Sequence, residues 1–145
     1  MAILREISVN YTFTEVDCDL TGKQMTSPEL VYKAFNFLKF EAKENFIVIN
    51  LNNQHGIMNY EVVAIGTVNS IQLRPCEDLR TAVLLNAPAV ILVHNHPSGY
   101  PDPSKSDIAF TNKVVECGKL LGIDVLNHII IGESNFVSLK KNDDM

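Results

Sequence analysis

The side chains whose types and spacing most directly suggest chemistry are His94, His96 and Asp107. They lie in the stretch VHNHPSGYPDPSKSD, residues 93–107. The run before it, APAVILV, is apolar and β-branched, which predicts a buried strand. Because alternate side chains of a strand share a face, the two histidines should project together from the strand's end. Two imidazoles and one carboxylate form a ligand set typical of catalytic zinc, with the fourth position left to water.

Each part of this set also has a structural interpretation. A His-x-His pair is often incidental, and Ser104-x-x-Asp107 resembles a capping box, in which Asp107 would satisfy only backbone N–H groups. The combination nevertheless favours a metal, since a strand end and a helix start are rigid supports for ligands. The connecting loop contains Pro97, Pro101 and Pro103, which restrict its freedom.

A hydrolytic metal centre also needs a proton acceptor, usually a nearby carboxylate. Glu44 is the favoured candidate because it begins the predicted strand 45–51, from which its side chain could reach over the sheet. Glu41 and Glu61 remain alternatives. Ser104 is a candidate donor to a developing oxyanion.

The hydrophobic pattern predicts an α/β fold in which helices cover a mixed sheet. The turn cluster at 52–56 predicts antiparallel pairing of the strands on either side. The remaining histidines, His55 in that turn and His128 in an apolar strand, are interpreted as structural, and 143–145 as a polar tail. The predicted strands cover 3–16, 45–51, 57–65, 68–73, 87–93, 123–131 and 135–139, and the predicted helices cover 27–42, 77–86 and 107–121.

Composition limits the classes of function. A length of 145 residues predicts one domain, 1–145. The formal net charge of −5 disfavours a broad phosphate-binding surface, so an association with DNA gets no support from charge. No apolar run approaches the ~18 residues of a membrane span, and none resembles a signal peptide. Cys18, Cys76 and Cys117 form no CxxC, which predicts small packed side chains in a reducing cytoplasm. The oligomeric state is left open.

Two other metal-dependent classes fit the sequence poorly. The tripeptide HNH at 94–96 is not the signature of HNH nucleases, which draw their residues from separated positions of a ββα unit. Zinc deaminases require His-x-Glu followed by Pro-Cys-x-x-Cys, and the chain contains neither. Both classes are therefore weak interpretations of this site.

At these residues the chain resembles the RadC-like family of JAB/MPN (JAMM) metalloprotease domains. The general motif is a glutamate, then His-x-His-Pro, then Ser-x-x-Asp. The resemblance covers about residues 25 to 140 and is carried by Glu44, ENFIVINLN (44–52), AVLLNA (82–87), HNHPSG (94–99), Pro103-Ser104, Asp107, Thr111, LLGIDVLNHIIIG (120–132) and VSL (137–139).

The resemblance implies a three-layer α/β/α fold akin to cytidine deaminases. It also implies Zn²⁺ bound by His94, His96 and Asp107, with Glu44 as acid/base and Ser104 steadying the tetrahedral intermediate. JAMM relatives hydrolyse peptide or isopeptide bonds, often at ubiquitin-like tails, so the expected partner is a peptide or protein substrate.

The chain departs from many members of that family at two positions. Cys76 stands where they have arginine, and Asn127 where they have aspartate, which puts the tuning of the site in question. Full-length members of that family often carry a helix-hairpin-helix-like segment before this domain, and we expect none within these 145 residues. The alternative function is a non-catalytic module in DNA repair or mobile-element maintenance that keeps the metal for structure.

Overall fold

The computed structural model describes residues 2–15, 23–25, 27–66 and 73–145. Within these ranges a five-stranded sheet has the order β2-β1-β3-β4-β5. The strands are β1 (Glu44–Leu51), β2 (Ile57–Gly66), β3 (Ala89–Asn95), β4 (Asp124–Ile131) and β5 (Phe136–Ser138). The helices are α1 (Pro28–Phe35), followed by a 3₁₀ helix (Asn36–Phe40), α2 (Pro75–Leu85) and α3 (Lys105–Leu121).

Helices cover both faces of this sheet. Every residue of β1 and of β3 is buried, as expected for central strands with helices on both sides. On one face, α1 and the 3₁₀ helix pack through Val31, Phe35 and Leu38 onto odd-numbered strand residues. On the other face, α2 and α3 contribute Leu79, Ala82 and Val114 to a second core that contains even-numbered residues of β1 and β3. The predicted three-layer α/β/α arrangement is therefore confirmed.

The strand directions bring separate parts of the chain to one end of the sheet. β1 runs antiparallel to both β2 and β3, whereas β3 and β4 are parallel. The sheet is thus mixed, and the predicted antiparallel pair around the 52–56 turn is present. Because β1 and β3 are antiparallel, the first residues of β1 lie beside the last residues of β3.

The first helix follows its predicted start but not its predicted end. The Ser27 side chain accepts a hydrogen bond from the Leu30 N–H, and Pro28 occupies the first turn. The α-helix ends at Phe35 rather than near residue 42, and the chain continues as 3₁₀ helix. Phe35 and Leu38, both buried, are three residues apart, which matches the three-residue turn of a 3₁₀ helix.

The predicted N-terminal strand is wrong over residues 3–15, which form neither strand nor helix. Ile3, Leu4 and Ile7 are exposed there. Alternating apolar residues make a stable strand only where a neighbouring strand supplies backbone partners, and this segment has none among the described residues. Of the strand predicted over 68–73, residues 68–72 lie outside the described ranges, and Leu73 belongs to no strand.

The other elements depart only slightly from their predicted bounds. Gly122 ends α3 with φ 75°, as expected for a glycine C-cap. The tail after β5 is held in place, since the Asp144 N–H donates to the Leu139 carbonyl and the Asn112 amide donates to the Asp144 carbonyl. No helix in the described ranges has the length and apolar character needed to cross a bilayer.

A buried carboxyl group on α2 is a source of pH-dependent stability. Asp78 is 0% exposed, and neither of its oxygens has a hydrogen-bond partner among the described residues. Burial, with smaller contributions from Glu77 and Glu61, raises the pKa of Asp78 to about 8. Between about pH 4 and pH 8 the folded state therefore holds a proton that the unfolded state releases, and stability falls as pH rises through this window.

We expect Asp78→Asn to stabilise the protein by about 3–4 kcal/mol at pH 7 and by much less at pH 4, because the amide is neutral throughout. Urea unfolding between pH 4 and pH 8 would measure the difference. Asp124→Asn, at an exposed carboxylate, is the matched control. An equal change in unfolding free energy for the two substitutions at pH 7 would contradict the raised pKa of Asp78.

Candidate metal centre

Three elements bring His94, His96, Glu44 and Asp107 together at one end of the sheet. His94 is near the end of β3, and His96 follows that strand directly. Glu44 is the first residue of β1, and the pairing of Phe46 with His94 places it beside this end of β3. Asp107 lies in the first turn of α3, across the loop from His96.

The side-chain atoms of this cluster converge. The Nε2 atoms of His94 and His96 are 3.0 Å apart. The Asp107 carboxylate approaches both, with Oδ2 at 3.3 Å from His96 Nε2 and Oδ1 at 3.7 Å from His94 Nε2. Glu44 Oε1 lies 3.5 Å from His94 Nε2. One ligand atom each from Glu44, His94 and His96 fall within 4.8 Å of one another, so this group could hold a metal ion.

The orientation of His96 is fixed by a carbonyl group. His96 Nδ1 lies 2.9 Å from the Tyr100 carbonyl oxygen, and a carbonyl can only accept. Nδ1 therefore carries a hydrogen, and in the neutral ring Nε2 presents its lone pair to the cluster. Ligand atoms around tetrahedral zinc, with bonds of about 2.0–2.2 Å, are separated by roughly 3.3 Å. The separations among His94, His96 and Asp107 fit such an ion.

The helix cap holds the Asp107 carboxylate in place. The Ser104 N–H donates to Asp107 Oδ2 at 2.9 Å, and the Asp107 N–H donates to Ser104 Oγ at 3.0 Å, which is a reciprocal capping box. The Asp107 carboxylate therefore both caps α3 and approaches the two histidines. Burial opposes ionisation, but the hydrogen bond with His96, the nearby His94 and the Ser104 contacts together lower the pKa of Asp107.

The Glu44 carboxyl group differs from that of Asp107. Glu44 is only 8% exposed, and this burial raises the pKa of its carboxyl group. The negative charge of Asp107 raises this pKa further, whereas the positive charge of His96 opposes the increase. The two alternative proton acceptors named from the sequence, Glu41 and Glu61, have no such contact with the histidines. Glu41 is exposed beyond the end of the 3₁₀ helix, and Glu61 pairs with Arg80 at 3.1 Å.

The two histidines have opposite electrostatic environments. Burial lowers the pKa of His94 well below its ordinary value, and the neighbouring His128 lowers it further. Burial also disfavours a charged His96, but the Asp107 carboxylate, the Tyr100 carbonyl and Glu44 outweigh it and raise the pKa of His96. Positive charge in the cluster is therefore best accommodated between His96 and the two carboxylates.

Ser104 is exposed at the start of α3. Its Oγ accepts from the Asp107 N–H and lies 3.0 Å from Ser106 Oγ. Since the hydroxyl group accepts in the cap, its own hydrogen remains available to Ser106 or to a bound molecule. The described contacts of Ser104 are those of a helix cap, and its role toward a substrate stays a prediction.

Asn95, between the two histidines, is a buried residue that the sequence analysis did not single out. Its Oδ1 accepts from the Asn45 N–H at 2.7 Å, and its Nδ2 donates to the Lys43 carbonyl at 3.1 Å. These two groups flank Glu44 along the backbone, so the Asn95 side chain fixes the segment that carries this carboxylate. A polar residue in a strand between two candidate ligands was the available signal.

We expect Asn95→Ala to destabilise the protein by about 1–3 kcal/mol, because it leaves the Asn45 N–H without its buried acceptor. Under the metallohydrolase hypothesis of the sequence analysis, misplacement of Glu44 should also lower turnover by up to about 100-fold, with metal affinity little changed. Urea unfolding and turnover would be compared with Asn112→Ala, which removes an amide bound to the Ile108 and Asp144 carbonyls. Equal turnover in the two variants would count against this role.

Four other residues named from the sequence have definite positions. His55 lies in the 52–56 turn with φ 61°, and its carbonyl accepts from the Met25 N–H, in keeping with a structural role. Cys117 packs against the second core, but Cys76 is exposed, so the expectation that it packs as a small apolar side chain is wrong. Cys18 lies outside the described residues. Asn127 accepts from the His128 and Lys140 N–H groups and from Ser138 Oγ, so its described contacts are with its own strand β4, with β5 and with the turn after β5.

A mixed sheet between helical layers, with a candidate metal centre at the end of β3, defines an α/β domain of the JAB/MPN type. Comparison with known families agrees. The chain belongs to the RadC-like JAB domain family, whose model matches residues 25–144.

Curated relatives of the chain are named UPF0758 proteins, and these names state no activity. The chain is 46% identical over 119 residues to a UPF0758 protein of Methanosarcina barkeri, covering 81% of this chain and 52% of the relative. It is 46% identical over 98 residues to a UPF0758 protein of Desulforamulus reducens, covering 68% and 43%. A UPF0758 protein of Geobacillus thermodenitrificans is 41% identical over 104 residues, covering 72% and 46%. The chain thus spans about half the length of these relatives.

Proposed function

We propose that this protein is a zinc-dependent hydrolase that cleaves a peptide or isopeptide bond. The observation that carries the proposal is the convergence of two imidazole Nε2 atoms and two carboxylates with different proton affinities at the end of β3. A purely structural metal site has its ligand positions filled by protein, whereas a catalytic one pairs three ligands with a nearby base.

His94, His96 and Asp107 are the proposed zinc ligands. Asp107 is favoured over Glu44 because its carboxylate approaches both Nε2 atoms, is held by the α3 cap and has a lowered pKa. A ligating carboxylate must be ionised, so the lowered pKa suits this role. Glu44 Oε1 lies 3.5 Å from His94 Nε2, and its raised pKa suits a group that gains and loses a proton.

The proposed mechanism assigns one proton transfer path to the protein. Zinc, when bound, supplies a Lewis acid that polarises the scissile carbonyl and makes water more acidic. Glu44 takes the proton from the attacking water and delivers it to the leaving amine, and its burial keeps competing water away. Asn95 holds the backbone on both sides of Glu44, and the Ser104 hydroxyl donates to the developing oxyanion.

The proposed substrate is a peptide or protein. The net charge of −5 gives no support to a surface that follows a phosphate backbone. We further propose that the protein works in the reducing cytoplasm, as its scattered cysteines suggested.

The function can be tested with zinc-loaded protein and a mixture of linear peptides and lysine-linked isopeptides. With the wild type we expect cleavage products that carry a new α-amino group or a free lysine side-chain amine, detected by mass spectrometry. With His96→Ala we expect none. Zinc bound at one per chain without cleavage of any member would instead favour a non-catalytic accessory module.

Ser104→Ala is expected to lower turnover by about 10²–10³-fold, the usual effect of removing one oxyanion donor. The same change removes a helix cap, at a cost of about 1 kcal/mol. Ser104→Thr keeps both hydroxyl functions and is the matched control. If alanine and threonine variants turned over equally fast at equal stability, Ser104 would be only a cap.

A further inference from the structure

We propose that His128 and Thr111 are positioning residues, which fix the ring of His94 so that its Nε2 lone pair faces the metal. This inference rests on the proposed zinc site and concerns residues that do not touch the ion. Its basis is a chain of short hydrogen bonds among buried groups, which runs from the backbone of α3 to His94.

The chain has three links. Thr111 Oγ1 donates to the Asp107 carbonyl oxygen at 2.7 Å. Thr111 Oγ1 also lies 2.6 Å from His128 Nδ1, and His128 Nε2 lies 2.7 Å from His94 Nδ1. Thr111, His128 and His94 are each 0% exposed, so water does not provide alternative partners.

The direction of every link follows from the carbonyl group at its end. A carbonyl can only accept, so the single hydroxyl hydrogen of Thr111 points to Asp107. Thr111 must then accept from His128, which places the hydrogen of the His128 ring on Nδ1. The neutral His128 ring has a lone pair on Nε2 and accepts from His94 Nδ1–H. The neutral His94 ring is left with its lone pair on Nε2, which faces His96 and Asp107.

The fold explains why this chain of bonds forms. Asp107 and Thr111 are four residues apart on α3 and therefore lie on one face of the helix. His128 on β4 pairs with Leu92 on the neighbouring β3, two residues before His94 and on the same side of the sheet. Asp107 is thus both a proposed ligand and, through its carbonyl, the group that sets the proton on another ligand.

The first test is long-range ¹H–¹⁵N NMR of the histidine rings in metal-free wild-type protein. We expect both His94 and His128 in the Nδ1–H form before any metal is added. His94 in the Nε2–H form would overturn the proposal, whether or not the protein binds zinc or hydrolyses a bond.

The second test compares Thr111→Val with Thr111→Ser in zinc affinity, measured by competition with a chromophoric chelator. Loss of such a supporting hydrogen bond typically lowers metal affinity by about 10–100-fold. We expect this loss in the valine variant, which is nearly the same size, and near wild-type affinity in the serine variant. Equal affinity of valine and serine variants, at equal thermal stability, would contradict the role of the hydroxyl.

His128→Gln and His128→Phe extend the comparison, because glutamine retains an acceptor for His94 Nδ1–H and phenylalanine does not. We expect glutamine to bind zinc more tightly than phenylalanine. The Co²⁺-loaded forms add a spectroscopic readout, in which a changed ligand environment shifts the visible absorption. A failure of the wild type to bind any metal would refute the proposed function, while the ring tautomers would still test the hydrogen-bond chain.

Discussion

Glu44→Gln is expected to lower kcat for amide hydrolysis by about 10²–10⁴-fold, the usual contribution of a positioned general acid/base. Glutamine has nearly the same shape, but it cannot accept a proton from water and return it to the leaving amine. Zinc content should remain at the wild-type value, because Asp107 rather than Glu44 is the proposed third ligand. Single-turnover rates and metal analysis of the same samples would measure both effects.

The control for Glu44 is Glu41→Gln, three residues earlier at an exposed position. This substitution changes the net charge equally and should leave turnover unaltered. Loss of zinc from Glu44→Gln would assign Glu44 to the metal and would remove the proposed base. Wild-type turnover in Glu44→Gln would reject its catalytic role outright.

His96→Ala is expected to abolish stoichiometric zinc binding and, with it, hydrolysis. Removing one of three protein ligands leaves two, too few for a stable catalytic site. Zinc at 100 times its dissociation constant should stabilise the wild type by about 2.7 kcal/mol, and the variant by far less. Metal analysis and thermal unfolding with and without zinc measure this without knowledge of the substrate.

His55→Asn is the matched control for His96→Ala, since asparagine tolerates the positive φ of this turn. It removes an imidazole that could bind zinc loosely, so it should leave both the stoichiometry and the thermal shift unchanged. One zinc per chain that persisted in His96→Ala would contradict the proposed ligand set.

The convergence of His94, His96 and Asp107 followed from local patterns in the sequence. A β-branched run predicted the strand that ends at the histidines, and Ser104-x-x-Asp107 predicted the helix start. Both signals act over a few residues and depend little on the rest of the fold. The approach of Glu44 depends on the antiparallel pairing of β1 with β3, which the residues alone did not establish.

Residues whose importance depends on tertiary contacts were harder to find. His128 was interpreted as structural because it lies in an apolar strand, yet its ring contacts His94 on the neighbouring strand β3. Asn95 was treated as the spacer of a His-x-His pair, yet it binds the backbone on both sides of Glu44. These roles follow from which strands are neighbours, and no short-range pattern encodes that.

The N-terminal segment illustrates the opposite error. Ile3, Ile7 and Val9 alternate as in a strand, but strand formation needs backbone partners that residues 3–15 lack among the described residues.

The buried Asp78 gave no signal in the sequence, since an acid in the first turn of a helix is ordinarily exposed. Its complete burial on α2 depends on tertiary packing.

The most direct test of the proposed metal centre is a crystal structure of zinc-loaded protein with anomalous diffraction at the zinc edge. We predict one peak about 2.0–2.2 Å from His94 Nε2, His96 Nε2 and an Asp107 oxygen. Glu44 should lie close to the fourth position without bonding the ion. A peak bound by Glu44 in place of Asp107, or no peak at this end of the sheet, would contradict the proposed metal centre.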